Sequence, residues 1–597
     1  MRRAVLSGLL VAFAAASASA APAPSKDEVE RIRAACDAQQ PECDPVALFG
    51  SYERTAIQRV LGELHLEVDR APWGKTLRKI IVEPEDVFGP EDGPLTLLNV
   101  FHRTTRRTAI DREVLLRPGD VWKQSAVDET MRKFHDPTQL VIAVAVPIVS
   151  DQPGTVDLLV ITRDVWSIRL NSNYEIQSGK LTYLTLSLSE NNFLGWRKLV
   201  SLVFTMDQGA YEVGPLYIDR NFLSKKLTLI TKAGVIFGRE RSEYEGSEST
   251  IELAQPLWSL DSEWGAGVTW THRWDIARSF RGTRLRTYDD PDTAEAETLP
   301  WQYREKVFSL TTSVTHQWPG HLEQQLRGGH ILGLQRPSVF DDSVFPNPMV
   351  EAAFERDVLP RSERSSQLFV SYTIFTPRYR AFHNIETFEL AEDQQLGPTA
   401  TITGGVAFHL IGSENNFVRV STSAGWTEPF ADDGLWHVEG SSEHRYDEGG
   451  WIDNYVSFGG RIVTPSFGIG RVVFDADVSS RWDETQNRFL TAGGDSGLRG
   501  FIIGEFTGQR RFVGHVELRT ASTKVWFTRA GAVAFTDVGS AANSFGAMDL
   551  HDDVGVGLRV VVPQTSPEPI RIDWAFAVDG DHRGWPGRII AGYRQGF

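Results

Sequence analysis

From Trp166 to its end the chain carries almost no helical periodicity. Short alternating segments recur instead, separated by Gly, Asn, Asp and Pro. Leu184, Leu186 and Leu188 alternate with Thr185, Ser187 and Ser189, and Phe474, Ala476 and Val478 with Asp475, Asp477 and Ser479. Ile570, Ile572, Trp574 and Phe576 alternate with Arg571, Asp573, Ala575 and Ala577. Successive side chains of a strand point to opposite faces, so each segment has an apolar and a polar face. Alternation alone does not say which face is wet, because a soluble sandwich alternates too. Two features put the apolar face in lipid. The segments run to about ten residues, the length of a tilted membrane strand. Charges such as Arg571 and Asp573 stand inside strands, as a wet lumen allows. Closing the sheet satisfies every backbone group and leaves no edge. Roughly 16–20 segments qualify; with some assigned to outer hairpins, the expectation is a mainly β chain forming a transmembrane antiparallel barrel of about 16 strands.

The N-terminus agrees. Met1-Arg2-Arg3, an apolar run from Ala4 to Ala16 and the small residues Ala18-Ser19-Ala20 read as a signal peptide over residues 1–20. The run is short for a membrane span, and no later stretch has 18 apolar residues. The net charge of −17 argues against nucleic acid as a partner. Seventeen Trp, 33 Phe and 52 Gly suit a barrel with aromatic girdles. Cys36 and Cys43 are the two cysteines; in an oxidising periplasm they are read as one small disulfide loop in preference to a metal site, since two thiols without nearby histidines make a poor one. The 14 His are scattered, with no HExxH, P-loop or Cys/His metal spacing, so no enzyme, cofactor or metal is expected. His316 and His321 flank Trp318-Pro319 in an expected turn.

Between signal and barrel two segments differ. Residues 21–78 read as a helical or linker segment, with one helix near Lys26–Ala35 and another starting at Asp44-Pro45 and running to Leu66. Residues 79–164 read as a small α+β domain in the order β-α-α-β-β: strand Arg78–Val82, helices Leu95–Thr105 and Ser125–His135, strands Val141–Val146 and Val156–Thr162. The barrel takes 165–597, with Asp289–Thr298 and Phe340–Arg364 as outer loops.

The most informative stretch is Gly493-Gly494-Asp495-Ser496-Gly497-Leu498-Arg499-Gly500-Phe501. Its Gly-Asp-Ser-Gly looks like a serine-protease nucleophile, but no matching histidine segment lies upstream and a triad needs its base. Leu498-Arg499-Gly500-Phe501 resembles the loop motif of the BamA/TamA superfamily of outer-membrane assembly and translocation barrels. Downstream, His515-Val516-Glu517-Leu518-Arg519, Phe535-Thr536-Asp537-Val538-Gly539, Gly555-Val556-Gly557-Leu558-Arg559 and Pro569-Ile570-Arg571-Ile572-Asp573 resemble that family's following strands in order. Gly592, Tyr593 and Phe597 resemble its C-terminal insertion signal. Upstream, residues 79–164 resemble one polypeptide-transport-associated (POTRA) domain, Thr162–Ser167 the passage into the barrel, and Asn191-Asn192-Phe193-Leu194-Gly195 an early hairpin. A single such domain departs from the several of assembly factors and the two of two-partner transporters.

The resemblance implies that the loop folds into the lumen, with Arg499 held by Glu517 and Asp537. It implies a cell outer-membrane location with a periplasmic N-terminal domain. It implies insertion, assembly or translocation of other proteins, by strand pairing rather than covalent chemistry. Expected partners are outer-membrane lipid, unfolded or secreted clients and periplasmic accessory proteins. The alternatives are a secretion pore for one dedicated substrate and a structural surface barrel without transport.

Overall fold

The computed structural model describes residues 31–32, 34–36, 38–40, 42–87, 96–97, 99–100, 102–134, 140–177, 180–293, 298–388, 391–525, 528–561, 569–580 and 583–593. The expected signal peptide and Phe597 lie outside them. The chain divides into two compact units. One takes residues up to 83, 116–131 and 142–162; the other takes 84–115, 132–141 and 163–597.

The first unit is built on three strands, Thr76–Glu85, Leu140–Val149 and Thr155–Asp164, with the last in the middle of the sheet. That central strand is apolar from Leu158 to Ile161 and buried at every position after Thr155, as a strand covered on both faces must be. The helix Gln124–Phe134 stands at the expected place between the strands. Ile57, Leu77, Ile142, Val144, Leu158 and Val160 form a buried interior. Arg78 donates to both oxygens of Asp157 (2.9 and 2.6 Å) and to Asp151 (2.8 Å). The hydrogen bond from Arg78 holds the Asp151 carboxyl below its ordinary range. Asp44 caps the N-terminus of a short 3-10 helix, Pro45–Leu48, through the backbone of Val46. The expected single helix is in fact two pieces: Phe49 is extended, and the α-helix Ser51–Leu64 starts afresh after Gly50.

The second unit is a β-barrel. Among the described residues, 22 strands hydrogen-bond in one cyclic order; two of them, Arg378–His383 and Thr523–Val525, are side pieces whose neighbours pair directly, leaving 20 in the wall. The expectation of about 16 is corrected. Segments such as Gly434–Asp447 and Gly450–Val463, rich in Gly, Ser and charge, are wall strands rather than outer hairpins. Successive wall strands pair antiparallel, and the last strand, Arg588–Tyr593, lies beside the first, Ile168–Gln177. A Cβ on Gly592 would stand 3.2 Å from the Asn173 side-chain oxygen across this seam. Within the expected helix Leu95–Thr105, residues 96–97 and 99–100 are 3-10 helical and 102–105 are not helical; a five-residue α-helix, Arg107–Asp111, follows. Asp164 accepts both the backbone N–H (2.7 Å) and the hydroxyl (2.7 Å) of Thr105, so the chain at Thr105 is tied by a side chain instead of an intrahelical bond.

Burial settles the sign of the alternation. On the strand His551–Val561, Val554, Val556 and Leu558 are 45, 55 and 45 % exposed, whereas Asp553 and Arg559 are 0 and 1 % exposed. Leu188, Phe474 and Ile572 point outward likewise, and Asp573 inward. Apolar outside and charged inside is the reverse of a soluble fold, and so large an exposed apolar surface marks an interface. Aromatic rings edge this band. At one height Phe204, Tyr211, Phe237, Tyr244 and Trp274 form a chain across five successive strands, with centroids 5.3–6.4 Å apart. At the other, Trp264 and Trp318 flank His316, each 4.4 Å away. Trp264 and Trp274 lie on one strand with the same parity. Ten residues at ~3.3 Å each, tilted by ~40°, span about 25 Å of height, the thickness of a barrel's lipid-facing band.

Hairpins at the end where the chain enters the barrel (the entry end) are mostly short; those at the far end are longer. Residues 279–301 and 340–362 are far-end loops, as expected, and the second carries the helix Pro348–Val358. Tyr288, Leu299, Val350, Phe354 and Val358 pack the two together.

Candidate functional site

A wall of 20 strands encloses more volume than its inward side chains can fill. Two chain segments enter that space. The first is the far-end loop 483–509, whose stalk is a small hairpin pairing Leu490–Ala492 with Phe506–Gly508. Its tip is a tight turn: the Gly494 N–H points at the carbonyls of Leu498 (2.8 Å) and Phe501 (3.0 Å). Gly493 and Gly497 take φ of 119° and 139°, where a side chain is strained, and a Cβ on Gly497 would come within 2.5 Å of Val513. The glycines that suggest a protease nucleophile therefore serve the turn. Leu498 and Phe501 anchor it in an apolar cluster with Ala492, Val513, Ala541 and Ala577.

Arg499 points from this turn to the wall and has no exposed surface. Its Nε and one terminal nitrogen donate to the two oxygens of Asp537 (2.8 and 2.7 Å), a bidentate fork. The other terminal nitrogen donates to Glu517 (2.6 Å) and Asp573 (3.1 Å). The guanidinium lies 3.4 Å from the centroid of the Phe535 ring. The next residue adds a backbone contact: the Gly500 N–H donates to Asp553 (2.8 Å). Gly500 has no room for a side chain, since a Cβ would meet Asp553 at 2.6 Å and the Ala577 nitrogen at 2.8 Å.

The four carboxylates come from four successive wall strands, Arg510–Thr520, Thr528–Ala542, His551–Val561 and Ile570–Ala577. The register sets Asp537 opposite both His515 and Asp553, Glu517 opposite Phe535 two residues along from Asp537, and Asp573 opposite Gly557 four residues along from Asp553. Arg519 donates to Glu517 (2.8 Å), Arg559 to Asp573 (2.5 Å), and His515 contacts Asp537 (3.0 Å). A buried guanidinium is costly unless carboxylates neutralise and hydrogen-bond it, and this network does both. The arrangement fixes the position of a loop; among the described residues no cluster suited to a metal ion occurs.

The second segment enters from the opposite end. The hairpin of Arg378–His383 and the first part of Ala391–Ala407 carries a tip in which Glu392 accepts the backbone N–H groups of Ile385 (3.1 Å), Glu386 (2.9 Å) and Thr387 (2.9 Å). Phe382, Ile385 and Leu396 pack on the wall residues Leu435, Val463 and Val473. Arg519 also donates to the Ile385 carbonyl (3.0 Å). One arginine thus touches the hairpin tip directly and Arg499 through Glu517. Elsewhere the inner wall is wetter: Arg273 bridges Glu248 (2.6 Å) and Asp275 (2.5 Å) while remaining half-exposed.

Of the residues singled out in the sequence, Leu498, Arg499, Gly500, Phe501, Glu517 and Asp537 come together here. Cys36 and Cys43 form a disulfide in the other unit, with Cα atoms 4.5 Å apart. Gly592 lies in the last strand; the side chain of Tyr593 and all of Phe597 fall outside the described residues. Sequence reasoning missed Asp553 and the bridging role of Asp573. Asp573 stands between the apolar Ile572 and Trp574, which was the available signal; Asp553 follows another aspartate, Asp552, and stands out less.

No family profile and no curated protein matches the chain. Among solved structures, BamA from Haemophilus ducreyi lacking POTRA domains 1–3 is similar over 92% of this chain and 95% of its own, at 13% identity and a TM-score of 0.35. CdiB from Acinetobacter baumannii is similar over 96% and 87% at 11% identity and 0.39, and CdiB from Escherichia coli over 98% and 92% at 12% and 0.38.

Proposed function

We propose that the chain is an outer-membrane β-barrel that assists insertion, assembly or translocation of other proteins. The observation that carries this reading is the far-end loop held inside the lumen by Arg499 and the Gly500 N–H against carboxylates of four successive strands. The motif with which the sequence resembles the BamA/TamA superfamily is the one that makes these contacts. The apolar outer band edged by aromatics supports a membrane setting, with the entry end in the periplasm. Client strands would pair with backbone freed by opening of the seam between the first and last strands, or at an edge of the three-stranded sheet, by β-augmentation.

The test is a seam cross-link. Asn173→Cys with Gly592→Cys is introduced in a strain depleted of the native protein, and client barrels in the envelope are quantified with the new disulfide oxidised or reduced. The expected result is loss of client insertion only when oxidised. Full function with the seam closed would sink the strand-pairing mechanism. Normal client levels on complete depletion would favour a structural barrel, and loss of one secreted substrate alone a dedicated pore.

A further inference from the structure

The rim at the entry end of the first strands carries cations out of keeping with a chain of net charge −17. Residues 102–113 lie along the turns that follow the strands Lys180–Glu190 and Ala210–Phe222. Arg106 donates to the Leu194 carbonyl (3.1 Å), Arg112 to Ser224 (2.9 Å), and the Asn192 amide to the Arg103 carbonyl (2.9 Å). Trp196 sits beneath Arg106 and Arg112, 4.6 and 5.4 Å from their guanidinium carbons. This gathers Arg103, Arg106, Arg107, Arg112, Lys225 and Lys226 on one rim. The anions within it are Asp111, Glu113 and Asp219, of which Glu113 pairs with Arg197 (2.8 Å) and Asp219 with Lys198 (2.9 Å).

The same rim exposes large apolar side chains. Phe193, Leu194 and Leu223 in these turns are 41, 53 and 66 % exposed, and Leu97 and Val100, shortly before residue 102 in sequence, are 73 and 82 % exposed. Phe193 and Leu194 follow, after Asn191 and Asn192, the strand that presents Leu188 to the outer band, and the next strand presents Val200 and Leu202. The apolar residues therefore continue the lipid-facing band past the ends of its strands, and the cations border that continuation.

We infer that this rim binds the anionic headgroups of phospholipids in the leaflet at the entry end. Apolar side chains enter the acyl boundary, and Arg and Lys side chains, whose stems cover apolar surface, place their charges at the phosphates. The inference rests on the membrane reading above. An acidic polypeptide would meet the charge but leave the apolar extension of the band in water.

The full chain is refolded into vesicles of phosphatidylcholine alone or mixed with phosphatidylglycerol, then extracted in mild detergent. Retained lipid is identified by native mass spectrometry, and unheated gel migration reports folding in the membrane. Wild type is expected to retain phosphatidylglycerol in preference to phosphatidylcholine by about tenfold or more, each cation contributing about fivefold. Arg107→Glu with Lys225→Glu and Lys226→Glu should fold and lose the preference, while Lys225→Arg with Lys226→Arg keeps it. A wild type without preference, or a triple variant that retains it, overturns the inference. So does displacement of the lipid by poly-glutamate at equal charge concentration. Absence of any heat-modifiable form in every vesicle overturns the membrane reading itself, a result distinct from folding without lipid preference.

Discussion

Arg499 illustrates how a charge can be used as a fastener when water is excluded. With the guanidinium removed, Asp537, Glu517 and Asp573 keep their burial and lose their shared counter-charge. Arg499→Ala is therefore expected to destabilise the folded barrel by about 3–5 kcal/mol. A lower temperature for loss of the fast-migrating unheated form would show it. Arg499→Lys should recover only part, because an ammonium cannot form the bidentate fork. A wild-type transition in the alanine variant would mean the loop is held by its apolar anchors alone. In the first unit, Arg78 makes a pH-dependent contribution. Its hydrogen bond lowers the folded-state value of Asp151, so the pairing stabilises above the unfolded carboxylate range near pH 4 and is lost as pH falls through the folded value. Arg78→Ala should bring the Asp151 titration, followed by NMR, up to the ordinary range; an unmoved titration would remove Arg78 as the cause.

At the scale of elements, the inward hairpin was the least legible part of the sequence. Arg378–His383 and the following strand alternate as wall strands do. Nothing local says that one folds past the wall, because the decision lies in distant partners such as Leu435, Val463 and Arg519. The outward face of the wall strands could be read because period-2 alternation is a local property. The strand number could not, since a polar wall strand and a polar outer hairpin share one pattern. Replacing residues 384–388 by a short flexible linker is expected to increase single-channel conductance in planar bilayers while leaving heat-modifiability intact. Unchanged conductance would mean that the hairpin does not obstruct the lumen.

For the whole molecule, the candidate site was legible because a resemblance in ordered motifs concentrated on Leu498–Phe501, Glu517 and Asp537. Asp553 stayed hidden because its role is to accept a backbone N–H from Gly500, and a backbone donor leaves no mark in a sequence. The two-unit division was also only partly readable. Residues 84–115 belong with the barrel, although in sequence they sit between elements of the three-stranded sheet.

The fork on Arg499 also sets how often the resting molecule can be found with its loop released. If release costs about as much as breaking a buried ion pair, ~3–5 kcal/mol, the released form is populated between about one part in a hundred and one in several thousand. A side chain that stays charged at any physiological pH gives no acid-triggered exit from the arginine side. Release must then be driven by whatever competes for the carboxylates or pulls on the loop, so occupancy by a partner, rather than thermal fluctuation, sets how often the loop leaves the wall.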